Sequence, residues 1–187
     1  MEYQKVTYDA QAYYPLGKDF VLRGYGKVGY GNDLPFYKNF YAGGYGSVRG
    51  YDNSTLGPKY DGVYFDETNQ SDPSPEEVGG NALVQFGTEL ALPVPFKGDW
   101  ARQVRPVLFA EGAQVFDTQC DVQATDAGRQ YCKDNYGFDF GEMRYSVGVG
   151  FTWITMIGPL SLSYAYPLNE KPGDETKNIQ FEIGRTF

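Results

Sequence analysis

The sequence predicts an all-β fold, an antiparallel transmembrane β-barrel fragment of about seven or eight strands interrupted by one long loop. Three observations carry this expectation. Apolar and polar residues alternate along most of the chain, while helical spacing is nearly absent. The chain holds 17 tyrosines, 13 phenylalanines and 24 glycines, yet its mean hydropathy is only −0.49. Aromatic girdles around a polar interior produce that balance, whereas a soluble sandwich shows more aliphatic core. Finally, connections alternate between short and long, as where turns lie on one side of a membrane and loops on the other.

Each strand follows from its own period-2 pattern. In "VTYDAQAYY", Val6, Tyr8, Ala10 and Tyr14 stand against Thr7, Asp9 and Gln11. In "FVLRGYGKVGY", Phe20, Leu22, Val28 and Tyr30 oppose Arg23 and Lys27. In "LVQFGTELAL", Val84, Phe86, Leu90 and Leu92 oppose Gln85, Gly87 and Glu89. The stretch 104–116 is ambiguous, because Phe109 falls on the face of Glu111; a bulge could reset the faces there. The cleanest pattern is "MRYSVGVGFTW", with Met143, Tyr145, Val147, Val149, Phe151 and Trp153 on one face and Arg144, Ser146, Gly148, Gly150 and Thr152 on the other. "LSLSYAY" sets Leu160, Leu162, Tyr164 and Tyr166 against Ser161, Ser163 and Ala165. In the terminal "NIQFEIGRTF", Ile179, Phe181, Ile183 and Phe187 oppose Asn178, Gln180, Glu182, Gly184 and Thr186.

These make about seven strands of roughly ten residues, enough to cross a bilayer at a tilt. "PLGKD", "PVPFKGDWARQ" and "TMIGP" form compact connections; 32–80, 117–141 and 168–177 are longer and polar. Asp9, Arg23, Lys27, Glu89, Glu111, Arg144 and Glu182 all fall on the non-apolar face. An Arg or Lys on the lipid face costs about 2–4 kcal/mol near mid-bilayer, so seven charges require that face to be a wet lumen. A soluble antiparallel sheet also keeps charges off its core, so strand length and aromatics, not alternation, favour the membrane.

Composition excludes several functions. Histidine is absent, which removes His-based acid/base catalysis, the usual nucleophile pairs and nearly all zinc sites. A net charge of −8 argues against nucleic acid as a partner. No residue is assigned a catalytic or metal-binding role, no cofactor is implied, and the chain is expected not to be an enzyme. No run of about 18 apolar residues offers a transmembrane helix. A strand-like segment directly after Met1, without a signal peptide, is expected of a mature or truncated chain. Cys120 and Cys132 enclose a polar segment and cannot form a four-ligand metal site; a loop-closing disulfide in an oxidising compartment is expected.

The loop 32–80 carries "YAGGYGSVRGYDNSTLGPKY", many glycines around one arginine, Arg49. Flexible turns around a solvated cation would explain such a composition in most loops. Here the length and the aromatics strain that explanation, since structureless loops of this size are uncommon. Glycines let backbone approach a wall closely, and an always-charged guanidinium can anchor on carboxylates.

At these residues the chain resembles the BamA family of Gram-negative outer-membrane assembly barrels. Its loop motif is Val48, Arg49, Gly50 and Tyr51, within "FYAGGYGSVRGYDNSTLGP". The likeness runs on through "GGNALVQFGTELALPVPF", "VRPVLFAEGAQVFDT", "GPLSLSYAYPL" and "FEIGRTF", in order and over essentially the whole chain. It implies that 1–187 is the C-terminal portion of a larger barrel, without POTRA domains or the first barrel strands. It implies that loop 32–80 folds into the lumen and that Arg49 meets Glu89 and Glu111 there. It departs at the cysteines: a familiar member holds its pair in the motif-bearing loop, whereas Cys120 and Cys132 lie one extracellular loop later.

The terminal strand is an ordinary lipid-facing strand with an end aromatic on any reading. The resemblance adds that Phe181, Ile183, Gly184 and Phe187 belong to an assembly signal and to a weak lateral seam, where a glycine kink leaves edge hydrogen bonds free. The implied function is insertion of β-barrel proteins into the outer membrane. Implied partners are unfolded outer-membrane proteins, outer-membrane lipid and assembly lipoproteins, the last mostly through the absent POTRA domains. A secretion transporter or passive channel of the same superfamily is the alternative; a barrel enzyme and a soluble sandwich are weaker rivals. Seven up-and-down strands leave two edges that cannot close antiparallel. Recruiting an eighth strand, dimerising through the edges, or existing only in detergent all remain open.

Overall fold

The computed structural model describes residues 2–17, 19–60, 76–94, 98, 103–119, 133, 137–156 and 158–184. Cys120, Cys132 and Phe187 lie outside them, so the disulfide and the end aromatic do too. Eleven strands are present among the described residues: β1 (Gln4–Gly17), β2 (Phe20–Asn32), β3 (Gly50–Tyr51), β4 (Lys59–Tyr60), β5 (Glu76–Glu77), β6 (Ala82–Ala91), β7 (Val104–Phe116), β8 (Arg144–Thr155), β9 (Gly158–Pro167), β10 (Thr176–Lys177) and β11 (Ile179–Ile183). Seven form one sheet in the order β1-β2-β6-β7-β8-β9-β11, each paired antiparallel with the next. The short β3 pairs with β10, and β4 with β5. The sheet is open, with β1 and β11 at its two ends.

The alternating faces sort as the pattern predicts. Tyr164 is 54% and Phe181 58% exposed, and Val149, Phe151, Trp153 and Leu162 share that outer face, while Ser161, Ser163 and Gln180 are buried on the inner one. A water-soluble sheet would turn such an apolar face inward. A bare apolar face of this extent belongs against lipid, with the polar face toward the lumen.

Three expectations change. No bulge interrupts β7, whose register runs unbroken from Val104↔Trp153 to Ala113↔Arg144. Phe109 and Glu111 therefore do share the inner face, and both are buried. Met143 precedes β8 and is buried, rather than sharing the exposed face of Val147 and Val149. The inner face is also not uniformly wet. Loop residues Phe40, Ala42, Val48, Tyr51 and Leu56 pack against Leu83, Ala113 and Val115 of the wall, so the hydrophobic core lies inside the barrel curve. Asp9 remains exposed and Lys27 half-exposed, whereas Glu89 and Glu111 are covered.

The described part of the long loop is held down by its own backbone. Phe40 exchanges hydrogen bonds with Gly80, and Ala42 with Leu56. Gly184 lies just past β11, not within it; it adopts φ +83°, and its amide donates to the Pro159 carbonyl.

Candidate functional site

The loop motif sits against the inner wall at β6 and β7. Its backbone arrives there because Gly50 adopts φ +95°, a left-handed region that β-branched and bulky residues avoid. A Cβ at that position would stand 3.2 Å from the Ala165 Cβ of β9. Val48, Arg49 and Tyr51 are all fully or almost fully buried.

Arg49 makes four hydrogen bonds to two carboxylates. Its Nε (3.0 Å) and Nη2 (2.6 Å) donate to Oε1 of Glu111, and its backbone amide donates to Oε2 of the same residue (2.8 Å). Nη2 also donates to Oε1 of Glu89 at 2.6 Å. The geometry differs from a parallel fork: both guanidinium nitrogens converge on one oxygen of Glu111, and the main chain takes the other. Glu111 thus fixes the backbone of the motif as well as its cation.

Neighbours missing from the sequence-level assignment complete the cluster. Arg23 Nη1 donates to Oε2 of Glu89 at 2.9 Å, so Glu89 bridges two guanidiniums. Tyr25 donates its hydroxyl to Oε1 of Glu111 at 2.5 Å. The Phe109 ring lies under the guanidinium, its centroid 3.4 Å from the guanidinium carbon, a cation–π contact. Opposite Phe109 in the register stands Gly148, where an added Cβ would be 2.4 Å from the ring. Tyr25 was legible by parity, since it shares an odd-numbered face with Arg23 and Lys27. Phe109 announced itself as the residue on the wrong side of an otherwise regular alternation.

Electrostatically, two arginines and two glutamates cancel. Burial by itself lowers the affinity of Arg49 for its proton, but Glu111, then Glu89, outweigh this and hold its pKa above the usual guanidinium value. Such a pair need not add net stability over an apolar packing, yet removing one member strands a buried charge at about 3–5 kcal/mol.

The rest of the motif faces elsewhere. Ser47 donates to Gln85 Oε1, and Gln85 Nε2 returns to the Gly46 carbonyl. The Tyr51 carbonyl accepts from Gln180 Nε2 of β11 at 2.6 Å. Gly50 and Tyr51 pair with Lys177 and Thr176, and the Asp52 amide donates to the Glu175 carbonyl. Arg49, Glu89 and Glu111 are therefore brought together; Phe181 and Ile183 lie on the outward face of β11, away from them.

The chain is similar to known proteins over its whole length. The model of the Omp85 superfamily domain matches residues 1–187. The outer membrane protein assembly factor BamA of Neisseria meningitidis is 38% identical over all of this chain, which covers 24% of that protein. BamA of Nitratidesulfovibrio vulgaris is 25% identical, again over the whole chain, which covers 21% of it. Among solved structures, Haemophilus ducreyi BamA lacking POTRA domains 1–3 superposes with TM-score 0.79 at 33% identity, over 96% of this chain and 34% of the other. The chain spans about a quarter of the length of these curated relatives. With residues 1–187 all matched by its model, the chain belongs to the Omp85 superfamily.

Proposed function

We propose that this segment is part of an outer-membrane β-barrel assembly factor, in which the Arg49 cluster holds the long loop inside the lumen and β11 supplies a lateral seam. The location is the bacterial outer membrane. The carrying observation is the buried cluster of three charges, in which Arg49 donates to Glu111 and Glu89. A cation dried this thoroughly keeps the loop seated unless both carboxylates are given up together. The wall strands under the loop are thereby braced. β11 is the shortest strand of the seven-stranded sheet, and a briefly paired strand at a barrel seam is the form of edge that accepts an incoming strand by β-augmentation. The substrates are unfolded outer-membrane proteins, met at that edge with lipid alongside, and assembly lipoproteins bind elsewhere on the whole protein. The work is done by strand pairing rather than covalent chemistry, as an assembly factor and not an enzyme.

The test is Arg49→Ala in the whole protein reconstituted in liposomes. The expected result is a protease-sensitive loop and at least a several-fold fall in client barrel insertion. Unchanged insertion with a loosened loop would overturn the assembly role of the cluster; an unchanged loop would overturn the latch itself. Active export of a soluble passenger with no insertion of barrels would favour a secretion transporter instead.

A further inference from the structure

The loop motif touches two parts of the barrel through different residues. Arg49 is bonded to β6 and β7 through Glu89 and Glu111. Two residues later, the Tyr51 carbonyl receives the side chain of Gln180, 129 positions away on β11. Gln180, second of the five residues of β11, is buried in a strand whose pattern otherwise runs exposed or half-exposed. Its Oε1 is buried and has no hydrogen-bond partner among the described residues. The amide of this side chain therefore spends its one hydrogen bond on the motif. The backbone around it points the same way, since β10 pairs with Gly50–Tyr51 immediately before β11 begins.

We infer that Gln180 is a positioning residue that makes the order of the terminal strand depend on the seating of the loop motif. β11 pairs with β9 over five residues, half the length of the ladder between β8 and β9. A ladder so short opens locally far more easily than the central wall. A donor from Gln180 to a main-chain carbonyl fixed by the neighbouring Arg49 cluster adds a second restraint from the lumen side. The loop, seated or lifted, then sets how readily β11 frays. The inference builds on the seam reading of β11, but its test reads backbone opening and needs no client. Coupling of this kind is reciprocal, so it must show in both directions.

The experiment is amide hydrogen exchange, read by mass spectrometry, on the whole protein in lipid nanodiscs. Gln180→Met keeps the volume and removes the donor. It is expected to speed exchange in 179–183 and also, across the lumen, in 48–52, each by roughly three- to tenfold, the worth of one hydrogen bond. Arg49→Lys, whose position is bonded to β6 and β7, is expected to speed exchange in 179–183 as well as in the loop. Phe181→Leu is the control: it trims the outward face of β11 and is expected to speed exchange in 179–183 while leaving 48–52 unchanged. Local change alone in both the Gln180→Met and Arg49→Lys proteins would overturn the coupling. Should Gln180→Met give no heat-modifiable barrel, the Arg49→Lys protein decides alone. Segments that respond together in a protein unable to insert clients keep the coupling and remove the assembly reading; independent segments in an active protein do the reverse.

Discussion

The wall at β6 and β7 and the edge at β11 are built by opposite means. Under the loop, β6 is ten residues long and β7 thirteen, both paired on two sides, and they carry a dry cluster of charges capped by Phe109. At the end of this sheet, β11 is five residues long, pairs with β9 over those five residues only, and is held from the lumen by Gln180. One motif reaches both, Arg49 gripping the strong region and Tyr51 the weak one. The difference teaches that the stable half of the molecule is not spread evenly over the strands; it is concentrated where a loop excludes water.

Substitutions break this contrast to graded extents. Glu111→Ala is expected to be the most damaging, because it takes away both guanidinium contacts, the Arg49 amide acceptor and the Tyr25 acceptor at once. A loss of about 3–5 kcal/mol, the cost of stranding a buried charge, is expected in denaturant unfolding of the whole protein followed by heat-modifiable mobility. Glu89→Gln should cost less, about 1–3 kcal/mol in the same assay, since Arg49 keeps Glu111 and only one charge is neutralised. Tyr25→Phe removes a single hydrogen bond to a carboxylate and is expected to cost about 1–2 kcal/mol. At the small end, Lys27→Ala breaks a 3.7 Å pair with Asp9 between exposed side chains, and less than about 0.5 kcal/mol is expected. Equal losses for Glu111→Ala and Lys27→Ala would abolish the distinction between covered and open lumen.

Much of the sheet could be read from residue types alone. The strict alternation of "MRYSVGVGFTW" and "LSLSYAY" admits only one pair of faces, and the charges at Arg23, Glu89 and Glu111 fell together on the inner one. What alternation cannot express is a third body pressed onto one face. It marks Phe109 as misplaced and Glu111 as lumenal, without saying that a loop residue from 62 positions before Glu111 covers that carboxylate. The pairing of Arg49 with Glu89 and Glu111 came from resemblance, not from period. Gln180 was placed on the correct face, yet its partner is a main-chain carbonyl, and an acceptor that every residue owns leaves no trace in a sequence. Met143 lies one residue before β8 and is buried, where its sulfur accepts from the Tyr145 hydroxyl, a covering that alternation does not express.

The position of the hydrophobic core has a consequence for how such a barrel comes into being. Phe40, Val48 and Tyr51 find their partners Leu83, Ala113 and Val115 only once β6 and β7 stand side by side. Closing that core joins residues far apart in the chain, a late and slow class of event in folding. Until it happens, Leu83, Ala113 and Val115 stand uncovered on the same wall as Glu89 and Glu111. The two carboxylates thus lie beside an apolar surface that only the arriving loop can cover.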